Sequence, residues 1–326
     1  MIERIYNCKV ITPMFLGGAN NKEAELRAPS FKGVLRYWWR AMHGNLSIEQ
    51  LHQNDIKIFG GSNNDNQMKS KVIIRIEQNN IECRRENFPL HNKEVEVKGK
   101  YINMNILNYL CFGIVEPRNG ISRKYICPDS SFKLIFNYDN LSDKQITEIE
   151  NALLLASIVG GLGSKCRNGF GKFKINDYGL DNVEKVIEIL NNLKTILPAK
   201  YTAISNNTKV FKLHQSCETW DKALANLGDI YHKVRTGLEG KHVFNKRQYI
   251  SAPIIDNKKT MTYIERHAKP YFLSVFQNKD NQYEGYIFCI PYKYPDNLHK
   301  NLNNQAYNKV IEEFNNNLAN EMETIL

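Results

Sequence analysis

Tyr6, Cys8 and Val10 take alternate positions within residues 2–12, and this period of two predicts a strand with one buried face. Pro13 blocks its continuation, so residues 12–18 read as a loop. The period then changes. Phe31, Val34, Leu35, Trp38 and Met42 recur at three- and four-residue steps, predicting a helix from about Ser30 to Gly44 whose apolar arc of about 100° faces a sheet. Strand-like runs follow at 71–77, around 95–97 and at 132–136. A second helix is marked by Ser142 as N-cap, Gln145 completing a capping box, the periodic Ile146, Ile149, Leu153 and Ala156, and Gly160 at its end. Residues 172–175 read as a short strand.

Beyond this point, Asp181 to Leu197 predicts an amphipathic helix closed by Pro198, and residues 199–208 a linker. The remainder reads as a strand at 210–213, a helix over 219–234, strands near 271–276 and 286–290, and a helix across 306–323. The first half thus runs strand, helix, strands, helix, strand, the ferredoxin-like order shared with RNA-recognition domains. The expected fold class is α+β, with two ferredoxin-like (RRM-like) domains, the second distorted, and an additional C-terminal helix. The expected division is residues 1–178 for the first domain, 179–200 for a connecting helix and linker, and 201–326 for the second domain. No sequence repeat relates the two halves.

The chain has 326 residues, a formal net charge of +10 and a composition that is 42% hydrophobic and 24% charged. That is a globular chain large enough for two domains, with a charge that favours an acidic partner, most simply nucleic acid. None of the seven cysteines lies two to four residues from another, so the pattern predicts neither a zinc knuckle nor a redox pair, but reduced thiols and a cytoplasmic setting. The longest apolar run, residues 152–159, is too short to cross a bilayer, and no secretory signal is read at the start. No membrane association is expected.

The cations cluster. Arg27, Lys32, Arg36 and Arg40 surround Trp38 and Trp39 on the first helix; by angle Trp38 faces the core, while Trp39 shares a flank with Lys32 and Arg36 and is expected to be partly exposed. An exposed indole beside cations can stack a base while they hold phosphates. The alternative is that Trp39 packs against the second domain and the cations form a solvated face. Gly33, inside this helix, marks an expected close approach of backbone, ligand or neighbouring helix. Gly161, Gly163, Gly169 and Gly171 form a glycine-rich loop that follows a helix and precedes a strand, the reverse of a nucleotide P-loop, and its spacing fits neither a P-loop nor a dinucleotide fingerprint. ATP and NAD are thereby disfavoured, and no cofactor or metal is expected. Lys165, Arg167 and Lys172 in and beside the loop leave it as a phosphate-approaching element, or as a tight turn that leaves its cations unexplained.

The stretch Thr12-Pro-Met-Phe-Leu-Gly-Gly-Ala, followed by Glu25-Leu-Arg-Ala-Pro-Ser-Phe-Lys-Gly-Val-Leu-Arg-Tyr-Trp-Trp-Arg-Ala41, resembles the N-terminal signature of RAMP proteins of CRISPR systems, in particular the first-subunit family of the type III-B (Cmr) RNA-targeting complex. The 161–171 loop resembles the RAMP glycine-rich loop. Ser251-Ala-Pro-Ile and Arg266-His-Ala-Lys-Pro-Tyr carry a weaker likeness; Cys166 in a stretch that is often basic, and Ala252 where a bulkier residue is usual, depart from the pattern. The resemblance implies two RRM-like domains within a multi-subunit ribonucleoprotein of antiviral defence. Its partners would be CRISPR guide RNA, complementary target RNA near the guide's 3′ end, and other Cmr subunits, with no DNA as primary ligand. It also implies a binding subunit rather than an enzyme, with RNA contact at Arg27, Lys32, Arg36, Trp39, Arg40, Lys165, Arg167 and Lys172.

Some proteins of this superfamily cut RNA without metal, using His as acid or base. His43, at the end of the basic helix, is the catalytic candidate, with His267 weaker. Glu23 with Glu25, and Glu312 with Glu313, lack the partners of a metal site, and Asp129 reads as a turn residue. The alternatives to RNA binding are therefore a metal-independent endoribonuclease, or a scaffold whose basic face docks on an acidic neighbour.

Overall fold

The structure is a computed structural model that describes residues 1–63, 66–97, 100–116, 119–180, 182–240, 242–256, 259–260, 262, 267–294 and 302–326. Arg266 and Asp181, used above, lie outside the described residues. Two four-stranded sheets organise the chain. In the first, β1 (Ile2–Val10) leads to α1 (Ala28–Met42) and α2 (Ile48–Phe59), then β2 (Val72–Asn80), β3 (Ser131–Tyr138), α3 (Asp143–Leu155) and β4 (Phe173–Ile175). The spatial order is β4-β1-β3-β2 with every neighbouring pair antiparallel. After α4 (Val183–Asn192), the second half runs β5 (Lys209–Lys212), α5 (Trp220–Gly237), β6 (Tyr271–Gln277), β7 (Tyr283–Cys289), α6 (Asn304–Ala319) and β8 (Glu323–Thr324), ordered β6-β7-β5-β8 and again antiparallel throughout. Numbered within each half, both sheets have the same connectivity.

That identity corrects one expectation. The C-terminal helix is not an addition: α6 stands between the third and fourth strands of its sheet, as α3 does in the first, and the edge strand β8 follows it. The other differences are local. Helix α1 starts two residues early because Pro29, whose missing N–H costs nothing there, begins its first turn. The capping box of Ser142 and Gln145 is present as read; α3 then widens into a π-turn over Ala156–Gly160. Helix α4 ends at Asn192 instead of Leu197, and the residues after it turn back toward α1. There Ala203, Ile204, Ser205 and Thr208 are buried, and the Ile204 amide donates to Ala41 O at 2.8 Å, so 199–208 is a packed strap.

Both hydrophobic cores draw on both halves of the chain. One packs Tyr6, Val10, Trp38 and Leu153 with Phe272 and Phe288; the other packs Phe15 and Phe170 with Leu224 and Phe314. The segment between β2 and β3 joins the second core through a helical turn, Ile106–Leu110, laid on α5. His91 to Asp221 at 2.7 Å and an ion pair between Lys93 and Asp229 fasten the same segment to α5.

Candidate nucleic-acid interface

An RRM reads RNA with aromatics on the open face of its sheet. Here the open face of the first sheet carries the cross-strand rows Glu3–Asn137–Ile73, Ile5–Ile135–Arg75 and Asn7–Lys133–Glu77, none of them aromatic. The clustered cations of the sequence lie instead on α1 and the glycine loop, on the other side.

The flank of α1 that carries Arg36 and Trp39 is covered by α2. Trp39 is only 2% exposed: His43 stacks on it with ring centroids 4.1 Å apart, and Phe59 meets it edge-on at 6.2 Å. The expected exposed indole is thus corrected to a core residue, because a helix absent from the sequence reading sits over it. Arg36 has a structural partner, its Nε lying 3.2 and 3.1 Å from the two oxygens of Asp55, itself 2% exposed, and its Nη2 bonding the same carboxylate. Lys32, half-buried beside Arg36, has its ammonium pushed down by burial and by that guanidinium. Arg27 precedes α1 and lies 3.8 Å from Glu25. Gly33 has nothing of this chain within 4 Å of where a Cβ would sit, so the close approach expected there is not made by the chain itself.

All four loop glycines adopt positive φ, between 70° and 93°. Their surroundings are the protein's own backbone: the amides of Gly161, Leu162, Ser164, Asn168, Gly169 and Gly171 donate to Ala156, Gly171, Phe15, Lys165, Cys166 and Pro13 carbonyls. These groups are not free for phosphates, which corrects the reading of the loop as an amide cradle. Lys172 is corrected as well. Its ammonium is buried and donates to the Val159 and Gly160 carbonyls at 2.5 and 3.1 Å, satisfying acceptors that the end of the π-turn leaves open. Burial pushes it down to about 7.

That shift has a sign. An unfolded lysine keeps its proton to about pH 10.4, so between pH 7 and 10 the unfolded chain binds more protons and stability rises with pH. Below pH 7 the cost of burying the ammonium is fully present. The urea midpoint of the unaltered chain is expected to rise across this window relative to that of Lys172→Met, by on the order of 1–3 kcal/mol in stability. Parallel profiles would place the lysine's protonation outside the folding equilibrium.

The remaining cations divide into two groups. Arg40 and Arg167 meet at one pocket of about 580 Å³, together with Lys200 and the tyrosines Tyr37, Tyr201 and Tyr292. Arg167 is held by Tyr37 Oη at 3.0 Å, by Lys269 O and by the ring of Phe272, 4.5 Å below its guanidinium. Arg40 Nε donates to Arg36 O at 3.1 Å. None of the described lining residues is acidic, and among the described residues no carboxylate pairs with Arg40, Arg167 or Lys200. Lys165 goes to the opposite flank of the loop, toward Gly113 and Cys111. Lys200 and Tyr201 were invisible to sequence reasoning; they arrive because the 199–208 strap packs on the end of α1.

The catalytic candidate is occupied. His43 Nδ1 faces Trp39 O at 2.7 Å and Nε2 faces Glu148 at 3.6 Å, so the ring ties the end of α1 to α3. His267 lies between Gln248 O, 2.6 Å from Nε2, and Tyr292 Oη, 2.9 Å from Nδ1, and burial pushes its ring down. Most of the carboxylates considered above are also paired: Glu23 with Lys124, Glu25 with Arg27, Glu313 with Lys246, and Asp129, at φ 68°, with Lys9. No group of three or more metal-ligating side chains occurs among the described residues, and no helix among them is long and apolar enough to cross a membrane.

An antiparallel α+β chain with a glycine loop wedged between its halves defines a class, and the model of the RAMP superfamily matches residues 7–174, just over half of the chain. The chain belongs to the RAMP superfamily. It is similar to the CRISPR system Cmr subunit Cmr1-2 of Pyrococcus furiosus, 28% identical over 188 residues that cover 54% of this chain and 96% of that protein. Cmr1-1 of the same organism is 25% identical over 187 residues, covering 53% of this chain and half of that protein. Among solved structures, apo Cmr1 from P. furiosus superposes with a TM-score of 0.60 at 16% identity, over 99% of this chain and 98% of that one. A chain of the type III-B Cmr-beta complex bound to cognate target RNA superposes at 0.50 and 14% identity, over 96% and 99%. These superpositions show a shared fold.

Proposed function

We propose that this chain is a non-catalytic RNA-binding subunit of a type III-B CRISPR ribonucleoprotein, cytoplasmic, and contacting guide or target RNA near the guide's 3′ end beside other Cmr subunits. The carrying observation is the pocket where Arg40, Arg167 and Lys200 converge with three tyrosines and, among the described residues, no carboxylate. Unpaired cations suit phosphates, and tyrosine faces suit bases of any sequence. Backbone-directed contact is what a guide complex requires, since base pairing carries specificity there. Gly33 lies four and seven residues before Tyr37 and Arg40, on one helical stripe, and leaves room for a strand to run along α1 into the pocket. The connectivity of each sheet supports two ferredoxin-like units, residues 1–178 and 201–326, joined through 179–200. The relatives named as Cmr subunits, and the neighbour solved with target RNA, support the assembly.

Titrating the full chain against end-labelled single-stranded RNA in EDTA tests this reading. Shifted, intact RNA is the expected outcome. Cut RNA would overturn the non-catalytic assignment, and RNA left unshifted would favour a basic face that docks on an acidic subunit instead.

A further inference from the structure

Lys165 is left over by the pocket above, and so is a second concentration of charge. On the far side of the Arg167–Lys269 contact lies a smaller crevice of about 250 Å³, walled by Tyr109, Phe112, Asn168, Tyr231, Arg235 and Lys269. Ala268 lines the first pocket and Lys269 the second, so the two are opposite sides of one bridge made by the glycine loop and the lead-in to β6. Lys269 Nζ donates to Asn168 Oδ1 at 2.8 Å and lies 4.0 Å from the Tyr231 ring centroid. Among the described residues neither Lys269 nor Arg235 has a carboxylate partner, and burial, joined by the repulsion of Arg235, Arg167 and Lys172, pushes the Lys269 ammonium well down. A bound anion would supply this half-enclosed cluster with counter-charge and favour the protonated form of Lys269. At its rim Phe112 is 75% exposed, a large apolar ring that the fold does not use, next to Gly113, toward which Lys165 reaches.

We propose that this crevice is a second nucleotide site. Arg235 and Lys269 hold one phosphate of a single-stranded RNA, Lys165 flanks it, and Phe112 stacks the attached base. The strand crosses the Arg167–Lys269 bridge, so that successive nucleotides fall on opposite sides of it. The site rests on the RNA-binding reading above, and extends it to residues outside the basic helix.

The test uses the full chain, an oligouridine RNA carrying 4-thiouridine, and three variants: Phe112→Ala, Arg235→Glu and the double variant Arg40→Glu/Lys200→Glu. Phe112 is exposed, so its loss leaves the fold intact; Arg235→Glu offers Lys269 a carboxylate, so that it cannot weaken binding by stranding a buried charge. Phe112→Ala is expected to weaken binding about fivefold to a hundredfold. Arg235→Glu should weaken it too, and photo-crosslinking of the unaltered chain should label the peptide bearing Phe112. Binding unchanged in both single variants, with a loss confined to the double variant, overturns the second site and leaves the first standing. Absence of RNA binding by the unaltered chain overturns both.

Discussion

Arg36→Glu is expected to destabilise the protein by about 3 kcal/mol, read as a fall in the urea midpoint. Arg36 is the cation facing Asp55, whose carboxylate is 2% exposed and receives both Nε and Nη2 of the guanidinium. Reversing the charge sets two carboxylates against each other with one of them out of water, so α2 is driven off α1. The damage should spread, since α2 also covers Trp39 through Phe59. Replacing both partners together, Arg36→Leu with Asp55→Leu, is expected to be close to neutral, because an apolar pair strands no charge. Any loss of RNA affinity in the single variant then reports unfolding. Equal stability of Arg36→Glu and the unaltered chain would show that Asp55 does not need its partner.

Gly171→Ala is expected to cost more than about 2 kcal/mol, and to do so without touching any cation. Its φ of 70° is a left-handed conformation, and a Cβ there would lie 1.9 Å from the Leu162 carbonyl oxygen. That carbonyl cannot swing aside cheaply. Leu162 N–H donates to Gly171 O at 2.8 Å, and Gly171 N–H to Pro13 O at 2.9 Å, so the two strands of the loop and the turn after β1 are one hydrogen-bonded unit. Gly33→Ala is the control. Gly33 sits in mid-helix with open space around it, and alanine there should stabilise α1 by about 0.5–1 kcal/mol. A glycine loop serving only as a flexible phosphate cradle would tolerate Gly171→Ala as readily as Gly33→Ala.

What the sequence makes legible follows from how regular each signal is. Tyr6, Cys8 and Val10 keep period two without interruption, and Ser142 with Gln145 announces α3, so β1 and α1 are read to within two residues and α3 begins where its cap says. Helix α2 carries the same announcement, Ser47 with Gln50 as a capping box, yet it escapes. Its apolar stripe runs Leu51, Asp55, Ile58 and Phe59, with a carboxylate where a hydrophobic residue should stand. That carboxylate is the partner of Arg36. One unread helix therefore explains both errors on α1: the cation assigned to phosphate is paired, and the indole assigned to a base is covered. Lys172 escapes for a different reason, because no local pattern tells that two carbonyls at the end of a π-turn will be waiting for its ammonium. Lys200 and Tyr201 enter the pocket through tertiary packing of the 199–208 strap, which carries no periodicity of its own.

The salt dependence of single-stranded RNA binding tests most directly whether the Arg40–Arg167–Lys200 pocket holds phosphates. Affinity of the full chain is measured from low to moderate salt, for the unaltered protein and for Arg40→Glu/Lys200→Glu. Each phosphate contact contributes a log–log slope of about −0.7, so losing two should make the slope shallower by about 1.4 while the urea midpoint stays put. Binding whose slope is the same in both proteins would contradict the assignment and move the RNA off this face.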